Sequence, residues 1–307
     1  MPSDDPGEQT VTRTSVGVAD ESAREAAAVE AGLDALETTT AVRTSRWRRL
    51  LRSALPPVVA LALFLLAWQL LFWAHVKPVY VIPSPAMVWR EFLDQWNQGN
   101  VQTAIWTSVR RALLGFALSV VIAVPIGLVV ARFRVVRTAI GPILTGLQTL
   151  PSVAWVPFAI ILFGLEPIAI YTVILLGAVP SIANGLVAGI DQTPPIYPRV
   201  GQVLGARRLT MVRHVMLPAA FPGFLAGLKQ GWAFAWRSLM AAELIVRSQR
   251  LGLGLGQLLD TGRQLSLMTT VILAIILILI VGISVELLLF APMERRMLRN
   301  RGLSGAR

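Results

Sequence analysis

The chain has 307 residues, 55% hydrophobic and 15% charged, with a mean hydropathy of +0.64 and a formal charge of +11. Soluble domains are about a quarter charged, so water is not the main solvent here. Cysteine is absent, which excludes disulfide and thiolate–metal frameworks. Residues 1–45 are polar, and 1–42 hold nine acidic residues against Arg13 and Arg24, so the remainder carries 26 basic and 8 acidic residues. This tail lacks the basic start and apolar core of a secretory signal. It reads as a disordered cytoplasmic extension with a short helix at "DESAREAAAVEAGLDALE".

From residue 46 the pattern changes to that of an all-α integral membrane protein with about six transmembrane helices. "LPPVVALALFLLAWQLLFW" (Leu55–Trp73) exceeds the roughly 18 apolar residues that mark a span. After a proline-stiffened loop, Ser84 and Pro85 suit an N-cap and first helical position. Val88, Phe92 and Trp96 follow on one face of an amphipathic helix expected to lie on the outer membrane surface. Span two covers about 103–131 and span three about 138–163, with Pro142, Pro151 and Pro157 inside it. Span four covers about 167–188 and span five about 219–245. The Gly-rich "LGLGLGQLLDTGRQ" reads as a flexible outer connector before span six at 268–290.

Alternating these spans from a cytoplasmic N-terminus puts seventeen basic residues on the inner side and seven on the outer. The excess orients both termini inward, on the cytoplasmic side. It also explains the basic charge without nucleic acid. The sequence has no G-x-x-x-x-G-K-[ST] phosphate loop, no G-x-S-x-G and no H-E-x-x-H, so the chain is expected to be no enzyme and to bind no cofactor or metal.

The segment between spans four and five, about 189–218, then falls in the cytoplasm. In "GARRLTMVRHVMLPAAFPG", Leu209, Val212 and Met216 share one helical face, with Arg207, Arg208 and His214 opposite. Gly205 permits a sharp turn, and Pro218 suits the start of the next helix. A short amphipathic helix between two turns could dock in a groove of a partner. Inside the spans, polar residues are functional candidates by default. Gln148, Ser152 and Trp155 fall on one stripe of span three. Span five carries Lys229, expected to snorkel, and Trp232, Trp236 and Arg237 as candidates to line a pathway, Arg237 to attract an anion. Asn184 and Ser181 suit helix–helix hydrogen bonds. Arg247, Arg250 and Arg263 could steer an anion or meet headgroups.

"RVGQVLGARRLTMVRHVMLPAAFPG" resembles the signature loop of binding-protein-dependent ABC transporter permeases. Gly205, Val215, Leu217 and Pro218 match in register, whereas Arg199, Val200 and Gly201 replace the Glu-Ala-Ala portion. "VIPSPAMVWREF", "LQTLPSVAWVPFAIILFGLEP" and "GWAFAWRSLMAAELI" resemble the aliphatic sulfonate, taurine and nitrate subgroup over about residues 55–300. The resemblance implies a type I ABC importer permease domain over 46–307, acting as a homodimer of two identical permease copies. Arg199, Gly205, Ala206, Arg207, Arg208, Leu209, Val212, Val215, Leu217 and Pro218 would form the ATPase-coupling segment. Two separate cytoplasmic ATPase subunits would supply ATP and Mg, and an extracytoplasmic binding protein would deliver the substrate. An alkanesulfonate is the leading expectation, with taurine, nitrate or a vitamin precursor as alternatives. A self-sufficient channel or secondary carrier is the alternative of another class.

Overall fold

A computed structural model describes residues 46–247 and 252–300, together with Val29. The remainder of the acidic tail, with its expected helix, and residues 248–251, which include Arg250, lie outside the described residues. The chain divides into two units, Met1–Phe64 and Leu65–Arg307. Helix α1 (Arg46–Trp73) belongs to the first unit up to Phe64, and its apolar residues Leu55, Val58, Leu61 and Phe64 are exposed.

The second unit is all-helical among the described residues. Helix α2 (Pro85–Asn97) begins as the sequence dictates, with Ser84 Oγ accepting from Met87 N at 3.3 Å and Pro85 in the first turn. The helix, expected on the outer membrane surface, also packs within the protein. Val88 is buried, and Glu91 accepts a 2.9 Å hydrogen bond from Thr270 at the start of a later helix. Trp89 and Trp96 remain exposed.

Helix α3 (Asn100–Arg132) carries the second span. The third is not one straight helix. Helix α4 (Arg134–Thr149) and α5 (Trp155–Phe163) meet at a bend of 99°, joined by a short 3-10 turn at Ser152–Ala154. The cause is Pro151: a residue before proline is pushed from the helical region, and Leu150 sits at ψ 131°. Helix α6 (Pro167–Asp191) follows, then α7 (Ile196–Val203) and the four-residue α8 (Arg208–Met211). A π turn at Val212–Met216 leads without a break into α9 (Leu217–Ile245).

The "LGLGLG" stretch is not a flexible connector over its described part. Gly254 begins helix α10 (Leu255–Gln264), in which Leu255, Gly256, Leu258, Asp260 and Gly262 are buried. Helix α11 (Met268–Val285) runs through a second π turn, Glu286–Phe290, into the amphipathic α12 (Ala291–Asn300).

Close approaches fix the directions of the crossing helices. Gly115 of α3 packs on Ile174 of α6, and Gly127 on Ala183 and Leu186, so these two helices run parallel. The intervening bent pair must therefore return the chain across the layer. Gly177, Gly185 and Gly189 of α6 meet Ser238, Gly227 and Gly223 of α9 in descending order, so α6 and α9 are antiparallel. A Cβ on Gly185 would come within 2.3 Å of Gly227 Cα. Only glycine allows this backbone contact, the usual device where apolar helices pack inside a bilayer. Four helices are long and apolar enough to cross a membrane, and the bent pair makes five. Helix α9, of 29 residues, has the length for a sixth crossing but carries Lys229, Arg237 and Glu243.

Candidate functional site

Two regions gather the functional candidates: the loop between α6 and α9, and one face of α9.

Helix α7 ends in a Schellman turn. Gly205 adopts φ +80°, its N–H bonds Gln202 O at 3.0 Å, and Ala206 N–H bonds Gly201 O at 2.8 Å. Gly201 is buried where a Cβ would lie 3.0 Å from Met211 Sδ and 3.0 Å from Val215 Cγ2. Met211, Val212, Val215 and Met216 therefore turn inward, half-buried, and Leu217 joins them. Val212 and Met216, two of the three residues of the expected docking face, are thus only partly exposed. A cluster of exposed apolar side chains at this end lies on α7 and its C-cap: Ile196, Tyr197, Val200, Val203 and Leu204, with Val203 87% exposed and Leu204 80%. Their spacing, i, i+1, i+4, i+7 and i+8, places them on one helical face. Arg199, Arg207 and Pro218 are also exposed, and Ala206 is half-buried. The side chains of Arg208 and Leu209 lie outside the described ones. Arg137 forms a bidentate ion pair with Asp191, tying the start of α4 to the end of α6 beside the loop.

On α9, a side adjacent to the glycine seam exposes Ala226, Gln230, Ala233 and Arg237, spaced i, i+4, i+7 and i+11. These residues wall a cavity of about 490 Å³ together with Lys229, Glu286 and Glu294. Arg237 donates from Nε to Ala233 O at 3.1 Å, and its guanidinium lies 4.7 Å from the Phe234 ring centroid. It has no carboxylate partner among the described residues. Lys229 does not snorkel free: its Nζ lies 2.9 Å from Glu286 Oε1 and 3.0 Å from Glu294 Oε2. The π turn at Glu286 sits directly at this contact. One cation of the cavity is thus neutralised and the other is not.

Trp232 and Trp236, expected as channel-lining candidates, belong to the core instead, at 3% and 7% exposure. They stack at 6.1 Å, and Phe116 meets Trp232 edge-on at 5.4 Å. In the bent pair, the expected Gln148–Ser152–Trp155 stripe is interrupted at Leu150–Pro151. Gln148 Nε2 donates to Pro180 O at 3.4 Å and to Leu144 O at 3.5 Å. Ser152 is half-buried, and Trp155 Nε1 is buried without a hydrogen-bond partner among the described residues. Asn184 Nδ2 does reach Thr145 Oγ1 of α4, at 3.4 Å.

The sequence reading missed a buried polar node at the opposite end of α9. Glu243, with no exposed surface, accepts from Ser108 Oγ at 2.7 Å, Arg111 Nη1 at 2.8 Å and Gly256 N at 3.1 Å. Ser108 Oγ in turn accepts from Leu255 N at 2.9 Å. The free amides that open α10 are thus satisfied by side chains of α3 and α9. A Cβ on Gly254 would stand 2.6 Å from the carboxyl, which explains glycine there. Arg111, read as an outer-interface charge, is 6% exposed. Arg247 and Arg263 are likewise not free: both pair with buried Asp260. The signal available for the first of these pairs was an acid, Glu243, inside an apolar span and so in need of a partner; Asp260, in the connector, gave none.

Residues 123–299, more than half of the chain, match the family described as binding-protein-dependent transport system inner membrane component. The nitrate import permease protein NrtB of Synechocystis sp. is 28% identical over 240 residues, 75% of this chain and 84% of that protein. The taurine transport system permease protein TauC of Escherichia coli is 28% identical over 259 residues, 82% and 93% of the two chains. The bicarbonate transport system permease protein CmpB of Synechococcus elongatus is 27% identical over 269 residues, 83% and 93%. The fold is similar to that of a chain of the MetNI methionine ABC transporter in inward-facing conformations. There the TM-score is 0.50 at 18% identity, over 63% of this chain and 94% of that one. The family match contains both the loop and the α9 stripe, and the apolar crossing helices are those of a multi-pass membrane protein. The chain belongs to the inner-membrane permease family of binding-protein-dependent ABC transport systems.

Proposed function

We propose that this permease imports a small organic anion, with an alkanesulfonate as the leading candidate, as a homodimer driven by two separate ATPase subunits and fed by an extracytoplasmic binding protein. The exposed apolar face of α7 carries the reading. Five apolar side chains project beside a Schellman turn at the end where α6 and α9 meet, and a clustered apolar patch of this kind calls for a protein partner. Gly201 seats α7 on Met211 and Val215, so a displacement of α7 is delivered to α9 through the continuous turn at Val212–Met216. Closure of the ATP-loaded partner dimer would draw two such helices together and reorient the pathway between the copies. The loop end of the molecule then faces the cytoplasm, with both termini on that side.

Arg237 supports the anion. It is an exposed cation with no carboxylate partner among the described residues, on a stripe of otherwise small or neutral residues, and a guanidinium cannot shed its charge. The named relatives act on nitrate, taurine and bicarbonate, which supports a small anionic or zwitterionic cargo.

The test has two arms. A tagged chain purified from its host membrane should bring an ABC ATPase in equal number; an active oligomer without one overturns the coupling reading. A deletion strain should fail on ethanesulfonate as sole sulfur source and grow on sulfate. Normal growth on ethanesulfonate and taurine with failure on nitrate as sole nitrogen source moves the cargo to nitrate and leaves the coupling intact.

A further inference from the structure

Between the loop and the ends of α3 and α6 lies a second cavity, of about 670 Å³. Leu128 and Ile190 contribute its membrane-side wall, and Met211, Val212 and Met216 its wall on the loop side. The lining is mostly aliphatic or thioether, and its rim carries one cation. Arg132, the last residue of α3, is exposed, lies 5.8 Å from the Phe133 ring centroid, and has no ion pair among the described residues. Helices α3 and α6 are both crossing helices, so the cavity stands where bilayer hydrocarbon gives way to headgroups.

A water-soluble anion would satisfy Arg132 and leave the apolar wall wet. A neutral aliphatic molecule would do the reverse. A molecule with an aliphatic chain and an anionic head satisfies both, and at this depth the bilayer itself supplies one. We propose that this cavity holds an acyl chain of an anionic phospholipid, with its phosphate on Arg132, and that the chain props the loop from beneath through Met211, Val212 and Met216. The loop is then built partly on lipid, and its rigidity depends on the charge of the surrounding membrane.

The full-length chain, purified in mild detergent and moved into nanodiscs, tests this without any transport measurement, so its outcome is separate from that of the import reading. Native mass spectrometry should show a retained phosphatidylglycerol on the wild type. Retention should fall roughly fivefold in Arg132→Gln, the loss of one phosphate contact, and stay unchanged in Arg295→Gln, a surface arginine on α12. Equal retention in the two variants overturns the headgroup contact. Photoreactive phosphatidylglycerol labelled in its acyl chain should crosslink peptides containing Ile190 or Met211–Met216 of the wild type; labelling confined to other helices overturns the chain site. Hydrogen exchange over residues 206–217 should be slower in nanodiscs containing phosphatidylglycerol than in phosphatidylcholine alone. Equal exchange removes the supporting role.

Discussion

Glu243 shows how a single residue joins three helices. Its carboxylate is fully buried and takes donors from α3 and α10, with Arg111 as counter-charge at 2.8 Å. Removing one member of such a pair leaves a charge stranded in low dielectric, at a cost of about 3–5 kcal/mol. Arg111→Met should therefore lower the thermal unfolding temperature in detergent sharply. The exposed Arg90→Met should leave it nearly unchanged. Neither the pairing nor its geometry was legible in the sequence. Arg111 stands among residues that read as an outer interface, and its partner lies far along the chain. Separation of this size hides an ion pair from any local pattern, whereas Ser84 and Pro85, whose chemistry is local, announced the start of α2 correctly.

At the scale of elements, long apolar runs were legible because hydropathy alone decides them. The break at Leu150–Pro151 was harder: three prolines lie in that span, and only the one before which the backbone turns extended bends it. The α6–α9 seam rests on glycines whose role depends on a partner helix. Gly227→Leu should drive the two backbones apart, since even a Cβ would stand 2.6 Å from Gly185 Cα. Gly146→Leu meets open space. The first should abolish accumulation of folded protein in the membrane, and the second should leave it near wild type, as read by fluorescence-detected size exclusion. Helix α7 sets a different expectation. Val203 contributes no packing at 87% exposure, so Val203→Asp should leave folding intact while reducing ATPase recovery in a tagged pull-down by at least about tenfold, the scale of a lost interface anchor. The expected docking face was Leu209, Val212 and Met216, whereas the fully exposed apolar face of the same loop is that of α7. Val212 and Met216 of that pattern are half-buried and turn toward the ends of α3 and α6, a packing that depends on distant helices and leaves no local signal.

Across the whole molecule, the polar groups of the crossing layer sort into spent and unspent charge. Glu243, Asp260, Glu286 and Glu294 all accept from cations of neighbouring elements, and Arg237 is left over on the open face of α9. Arg237→Gln should therefore cut cargo uptake by about tenfold or more while ATPase association persists, because an interaction with an anion in a water-poor passage is worth at least about 1.4 kcal/mol. Uptake by the variant equal to wild type, measured with labelled ethanesulfonate in cells, would remove Arg237 from the pathway. The topology needed the structure for a different reason. Parallel α3 and α6 with antiparallel α9 follow from where glycines touch, and contact order between helices leaves no trace in composition.

The uninterrupted run from the loop into α9 also limits how this chain can change length. From Leu217 to Ile245 the helix is one rod of about 43 Å at 1.5 Å per residue, engaged by the seam along its course and by Glu243 near its far end. One residue inserted between Gly223 and Glu243 would rotate everything beyond it by about 100°, swinging the carboxylate away from Ser108 and Arg111 or the glycines away from α6. The π turns at Val212–Met216 and Glu286–Phe290 stand outside that stretch, and each already holds the one surplus residue that an i→i+5 turn accommodates. Homologous chains of different loop length should accordingly place their gaps before Val212 or after Phe290, and keep the spacing from Gly223 to Glu243 constant.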